Sequence, residues 1–167
     1  LLQPPDAAPA IEHRSVPATS AAGIGAVVDR ADVLAWWQGA LGELQAIVRA
    51  QGLRATGPSG GMYASELFQR DHGEATVFIP VEGSVRAIGR VAPVVVPEAE
   101  LAIISHHGPL ADVDLSYAKL GSYATNHEIS IDGPLREYYV CGASDTQDQA
   151  EWRTEIGWPI FRADGPA

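Results

Sequence analysis

A chain of 167 residues, 46% hydrophobic and 19% charged, has the size and composition of one globular domain that buries its own core. Its net charge is 11 − 21 = −10 with no cluster of Lys or Arg, which excludes direct DNA or RNA binding by this segment, because phosphate neutralisation supplies most of such affinity. The single cysteine, Cys141, rules out an internal disulfide and a cysteine-rich metal site and points to the cytoplasm, while no apolar run approaches the roughly 20 residues of a membrane span.

Residues 1–10 hold three prolines and read as a linker; Leu1-Leu2 reads as the end of an upstream helix, as in a piece of a longer protein. One domain is expected over residues 11–162, in halves of about 11–82 and 85–162, followed by a tail at 163–167. In the first half, residues 11–28 are strand-like. Asp32 can cap a helix carrying Val33, Trp37, Leu41, Leu44 and Val48 on its core face, before Gly52 stops it. Strands near 62–68 and 74–81 follow, parted by the turn signal Asp71-His72-Gly73. In the second half, residues 98–106 form a strand and Gly108-Pro109 breaks it. Asp112 can cap a helix bearing Val113, Tyr117, Leu120 and Ala124, and strands near 135–141 and 151–160 complete the unit.

The halves echo one another. Gly57-Pro58 and Tyr63 recur as Gly133-Pro134 and Tyr139 at an offset of 76, and Val16-Pro17 recurs as Val96-Pro97 at 80. Two copies of one unit predict a pseudo-twofold α+β domain, a tandem βαββ duplication. The expected architecture is an antiparallel sheet with two helices on one face and a ligand cleft between the halves.

Leu135-Arg136-Glu137-Tyr138-Tyr139-Val140-Cys141 is the most informative stretch. Side chains alternate along a strand, so Leu135, Glu137, Tyr139 and Cys141 share a face, and Glu137 is an acid in an apolar, aromatic row. Either it recognises a ligand, or it meets solvent or pairs structurally with Arg153 or Arg162. The repeat sets Gly61 against Glu137 and Tyr63 against Tyr139, so one half presents a carboxylate where the other presents space. Trp36 and Trp37 are neighbours on the first helix and cannot both enter one core. Trp37 and Tyr117 are assigned to core packing; Trp36, Tyr63, Tyr139 and Trp152 are assigned to a pocket. Ring faces beside a carboxylate suit a delocalised organic cation.

Other motifs fall away. Gly23-Ile24-Gly25 lacks the third glycine of a dinucleotide fingerprint, and Gly57-Pro58-Ser59-Gly60-Gly61 lacks the Lys-Ser/Thr of a phosphate loop. His106 and His107 point to opposite faces of a strand and do not chelate one ion, and no serine sits in a nucleophile elbow. Glu155 is expected to pair with an arginine. No metal and no cofactor is called for.

The segments Ile11-Glu12-His13-Arg14-Ser15-Val16-Pro17-Ala18, Thr76-Val77-Phe78-Ile79-Pro80-Val81 and His107-Gly108-Pro109, with Tyr117-Ala118-Lys119-Leu120, Arg136-Glu137-Tyr138-Tyr139 and Trp152-Arg153-Thr154-Glu155-Ile156-Gly157-Trp158-Pro159, together resemble the GyrI-like effector-binding superfamily. The resemblance runs from about residue 11 to 161 and implies the same duplicated fold with a cleft between halves. Many members of that family are C-terminal sensing domains of MerR-type transcription regulators, where a strand carboxylate meets cationic aromatic drugs. Carried onto this chain, the resemblance implies Glu137 as that carboxylate and Tyr63, Tyr139 and Trp152 as walls. A smaller branch hydrolyses cyclopropane-bearing toxins, and other members inhibit a protein partner. The chain has no helix-turn-helix and no long dimerisation helix, so a regulator of this kind would reach DNA through a domain upstream of Leu1. The expected partner is a small molecule, with no membrane contact, and homodimer formation is left open.

Overall fold

Proline sets the first departure from a simple strand count. It has no amide proton to donate to a ladder, and the stretch around Pro17 divides into β1 (Glu12–Val16) and β2 (Thr19–Asp29). The computed structural model describes residues 10–162, so the linker expected at 1–10, apart from Ala10, and the tail at 163–167 lie outside the described residues. A 3-10 turn at Arg30–Asp32 leads into α1 (Val33–Ala50), then β3 (Arg54–Ala55), β4 (Gly60–Tyr63), α2 (Ser65–Gln69) and β5 (His72–Glu82). Pro97 repeats the break, between β6 (Ala92–Val96) and β7 (Ala99–His107). The chain then forms α3 (Val113–Asn126), β8 (Leu135–Cys141) and β9 (Arg153–Pro159).

The strand expected at 62–68 is corrected. Pairing ends at Tyr63, and Ser65–Gln69 winds into a short helix whose Leu67 is buried against the start of β5. Short apolar runs do not distinguish strand from helix by themselves.

The antiparallel sheet runs β1-β7-β9-β8-β4-β5-β2-β6, with β3 beside β5. The central pair is β8–β4, and the order is palindromic about it. The outermost strands are exchanged: β1 of the first half edges the second, and β6 of the second half edges the first.

Residues paired across a ladder share a face. One such row reads Ile24, Val77, Gly61, Glu137, Ile156 and Ile104 from β2 to β7. Ile24 and Val77 pack under α1, and Ile104 and Ile156 under α3. Both long helices therefore lie on one face, and the middle of the row, Gly61 with Glu137, falls in the gap between them.

Each helix shows two ladders spaced by four residues, which line up one above another on an α-helix. On α1, Trp36, Ala40, Leu44 and Val48 settle on the sheet, while Val33, Trp37, Leu41 and Gln45 run along the gap. On α3, Leu120 and Ala124 are the fully buried pair, while Val113 and Tyr117 face the gap.

Candidate ligand-binding site

Glu137 stands on β8 with 8% of its surface exposed. Tyr117 of α3 donates to one carboxylate oxygen at 2.8 Å, and Tyr139, two residues along the strand, donates to the other at 2.8 Å. The Tyr139 hydroxyl has given its proton to Glu137, so Tyr63 of β4, at 2.6 Å, donates to the Tyr139 oxygen. Two hydroxyls from two elements thus converge on one carboxylate, and a third, from β4, backs one of them. No Lys or Arg among the described residues forms an ion pair with Glu137. Arg136, its neighbour, points to the opposite face and donates to the Pro97 carbonyl at 2.6 Å. Glu155 pairs with Arg14 at 2.7 Å, which holds its carboxyl below the usual range.

Burial pushes the Glu137 carboxyl above its ordinary value, against the hydrogen bonds from Tyr139 and Tyr117, which favour the ionised form. Burial, reinforced by the nearby Glu137 charge, holds Tyr63, Tyr117 and Tyr139 well above the usual phenol value. All three therefore serve as neutral donors near neutral pH. His106, on β7, is buried beneath the start of α3. Its Nε2 donates to the Pro109 carbonyl at 3.0 Å, which leaves Nδ1 to accept from Ser116 at 2.8 Å in the neutral ring. His107 is exposed on the other side.

Gly61 does not leave a void beside Glu137. A Cβ there would lie 2.6 Å from the Tyr63 hydroxyl and 2.7 Å from its ring. The absent side chain is the space in which the Tyr63 ring lies, and that lets its hydroxyl reach Tyr139. Tyr63, Tyr139, Gly61 and Glu137 thus come together. Trp36 does not join them: it packs among Ala40, Leu44 and Val28. Trp37 takes the position expected of it, with its ring edge-on to Tyr139 at 5.0 Å. The reversal follows from the helix: Trp36 is four residues before Ala40 and eight before Leu44, both fully buried.

The gap holds two chambers. One, of about 240 Å³, is lined by Glu137, Tyr63, Tyr117, Trp37 and Phe68, with Arg30 and Asp114 at its rim. The other, of about 250 Å³, is lined by Trp37, Tyr139, Trp152, Gln45 and Cys141 among others. Trp152 therefore lies beyond Tyr139 and away from the carboxylate, with its indole N–H donating to the Thr146 carbonyl at 3.0 Å. A slip in register between Tyr139 and Cys141 ends the alternation expected through Cys141.

Residues 9–160 match the GyrI-like small molecule binding domain. The chain belongs to the GyrI-like family. No curated protein matches it. Among solved structures, the EcmrR C-terminal domain superposes with a TM-score of 0.79 at 20% identity, over 93% of this chain and 99% of that one. The EcmrR chain of an EcmrR–DNA complex gives 0.81 at 20% identity over 92% of this chain, which spans only 58% of the EcmrR chain. SAV2435 bound to tetraphenylphosphonium gives 0.67 at 13% identity, covering 91% and 94%, and a hydrolase encoded by lin2189 of Listeria innocua gives 0.63 at 16%, covering 90% and 91%. At these identities the likeness is one of fold.

Within this GyrI-like domain, sequence reasoning missed Tyr117, Trp37 and Phe68 as lining residues of the candidate site. One signal was present for two of them: Trp37 and Tyr117 are aromatic at the same offset of 80 that relates Val16 to Val96. Phe68, tilted against Tyr117 with ring centres 5.5 Å apart, is hidden with α2.

Proposed function

We propose that this domain binds an aromatic organic cation at Glu137, as the effector-sensing part of a MerR-type, multidrug-responsive transcription regulator. One observation carries the reading: a buried carboxylate, hydrogen-bonded by two tyrosines, faces an aromatic chamber, and among the described residues no Lys or Arg pairs with it, Arg30 standing at the rim near Asp71. A buried charge without a counter-charge is costly. The tyrosines offset part of that cost, and a ligand cation offsets more, while ring faces add about 0.5–2 kcal/mol each. The tetraphenylphosphonium in SAV2435 is a cation of this class, and the EcmrR–DNA complex supports a regulator as the setting.

Titration of a matched cationic and neutral aromatic pair tests the reading. Glu137→Gln is expected to weaken the cation by about ten- to a hundredfold, at ~1.4 kcal/mol per decade, and to leave the neutral partner nearly unchanged. Equal losses for both ligands would make the carboxylate structural.

A second reading is hydrolysis of cyclopropane-bearing electrophiles. The raised carboxyl of Glu137 beside neutral phenols favours it, and the Listeria innocua hydrolase supports it. Glu137 would take the proton of a water whose oxygen bonds a cyclopropane carbon as that ring C–C bond breaks, and Tyr63 or Tyr139 would donate to the conjugated carbonyl oxygen that takes up the released electron pair. Product analysis with a cyclopropane-bearing alkylator decides: turnover lost in Glu137→Gln supports it, and no turnover by the unaltered domain rejects it.

A further inference from the structure

We infer that the two chambers form one elongated site, whose ligand places a cationic aromatic head at Glu137 and a second, uncharged ring with hydrogen-bonding groups beyond Trp37. The inference rests on the reading of Glu137 as a cation site and extends it to the shape and chemistry of the whole ligand.

Size is the first argument. The chambers hold about 240 and 250 Å³, and each falls short of the roughly 300–1,000 Å³ of pockets that enclose drug-sized molecules. Merged, they lie within that range. They also adjoin, because Trp37 and Leu110 line both. The ladder Val33, Trp37, Leu41, Gln45 passes along them from one to the other, and the twelve helical steps from Val33 to Gln45 rise roughly 18 Å. The joint cavity therefore extends along α1.

The wall between the chambers is the Trp37 indole set edge-on against Tyr139. The Trp37 indole N–H is buried and has no acceptor. Moving this ring breaks no hydrogen bond, and a buried donor without a partner gains by finding one. The partition is thus a side chain held by packing alone. Tyr139 is anchored, by contrast, through its hydroxyl to Glu137 and Tyr63. Trp37 is the movable member.

The chemistry of the second chamber differs from that of the first. Its rings are Tyr139 and Trp152, and its polar groups include Gln45, Ser59 and Thr154. Its carboxylate, Asp145, accepts from the Gly142 amide at 3.0 Å and is exposed to solvent. Nothing in this chamber matches the buried carboxylate of the first, so the second ring is uncharged and carries ether, carbonyl or hydroxyl groups.

Cys141 lines the end of this second chamber, where the slip in register sets it opposite Arg153, and is the chain's sole cysteine, so its alkylation reports on occupancy at that end. The test uses a short probe, benzyltrimethylammonium, and a long one, (4-benzyloxybenzyl)trimethylammonium, which carry the same charge. The long probe is expected to bind about tenfold or more tighter, the gain from burying one more ring. At saturation it should slow the reaction of Cys141 with N-ethylmaleimide about tenfold, and the short probe less than about twofold. Cys141→Phe, which adds a ring at the lining of the second chamber, should lower the long probe's affinity toward that of the short one. If this variant does not fold, the alkylation rates of the unaltered domain decide. Equal affinities, or equal protection of Cys141, with both probes still weakened by Glu137→Gln, would overturn the elongated site and leave the cation reading standing. Failure of both probes to bind, or indifference of both to Glu137→Gln, would overturn the two together.

Discussion

The two halves hold corresponding positions and use them differently. Where the first half has Gly61, the second has Glu137; where the first has Ala26, Trp36 and Trp37, the second has His106, Ser116 and Tyr117. The first half contributes apolar bulk and the room for one tyrosine ring. The second contributes the imidazole, the carboxylate and the two hydroxyls that converge on it. A symmetric solution would set two carboxylates side by side on paired strands, and two such charges cannot both ionise in a buried site. Asymmetry at Gly61 and Glu137 lets a palindromic sheet hold a single charge at its centre.

The largest test of this comparison concerns the shared core. Leu44 and Leu120 are both fully buried, one under each helix, and each pairs with an alanine on the same ladder, Ala40 and Ala124. Leu44→Ala and Leu120→Ala should each cost about 2–5 kcal/mol. Because β1 and β6 are exchanged across one continuous sheet, urea unfolding of either variant should remain a single transition. Two separated transitions would mean that the halves behave as independent units.

A smaller effect is expected at the asymmetric position itself. Gly61→Ala places a methyl where the Tyr63 ring lies, and overpacking of this kind costs about 1–3 kcal/mol. It should also push Tyr63 away from Tyr139 and weaken cation binding, measured by titration beside the denaturation curve. Gly61→Ala that binds a cation as tightly as the unaltered domain would detach Tyr63 from the site.

The smallest expected effect is one of pH. A cation needs the ionised carboxylate, so its affinity should fall as pH drops through the Glu137 value, which burial has raised above the ordinary glutamate range. The Tyr117 hydroxyl favours the ionised form. Tyr117→Phe should therefore move the loss of affinity to higher pH, while a neutral ligand shows no such dependence in either protein. A shift to lower pH would contradict the hydrogen bond from Tyr117.

Local pattern carried the strands and helices well, and long-range pairing was where reading the chain failed. Strand parity placed Glu137 beside Tyr139, and the offset of 76 set Gly61 opposite Glu137, as the ladder does; it also set Tyr63 opposite Tyr139, whereas the antiparallel register pairs Tyr63 with Leu135 and only the two hydroxyls meet. The helices misled because two neighbouring ladders on α1 are both apolar. Periodicity alone does not say which of Trp36 and Trp37 meets the sheet. The slip after Tyr139 leaves no mark in the sequence, and it removes Cys141 from the row predicted for it. The convergence of Tyr117 on Glu137 depends on α3 lying over β7 and β9 at the edge of the gap, a contact between distant segments that no window of residues displays.

The exchanged outer strands also determine how the sheet ends. β1 reads Glu-His-Arg-Ser-Val and lies against β7, whose Leu101–Ile104 run is apolar and fully buried. On the other side β6 carries Pro93, which has no amide proton to offer a further strand. One border is closed by charge and the other by proline, two devices that stop sheets from pairing edge to edge. A domain trimmed to begin after Val16 would keep Glu137 and its tyrosines while uncovering β7 as an apolar template. The damage would then register as concentration-dependent aggregation, with the ligand affinity of each remaining monomer largely intact.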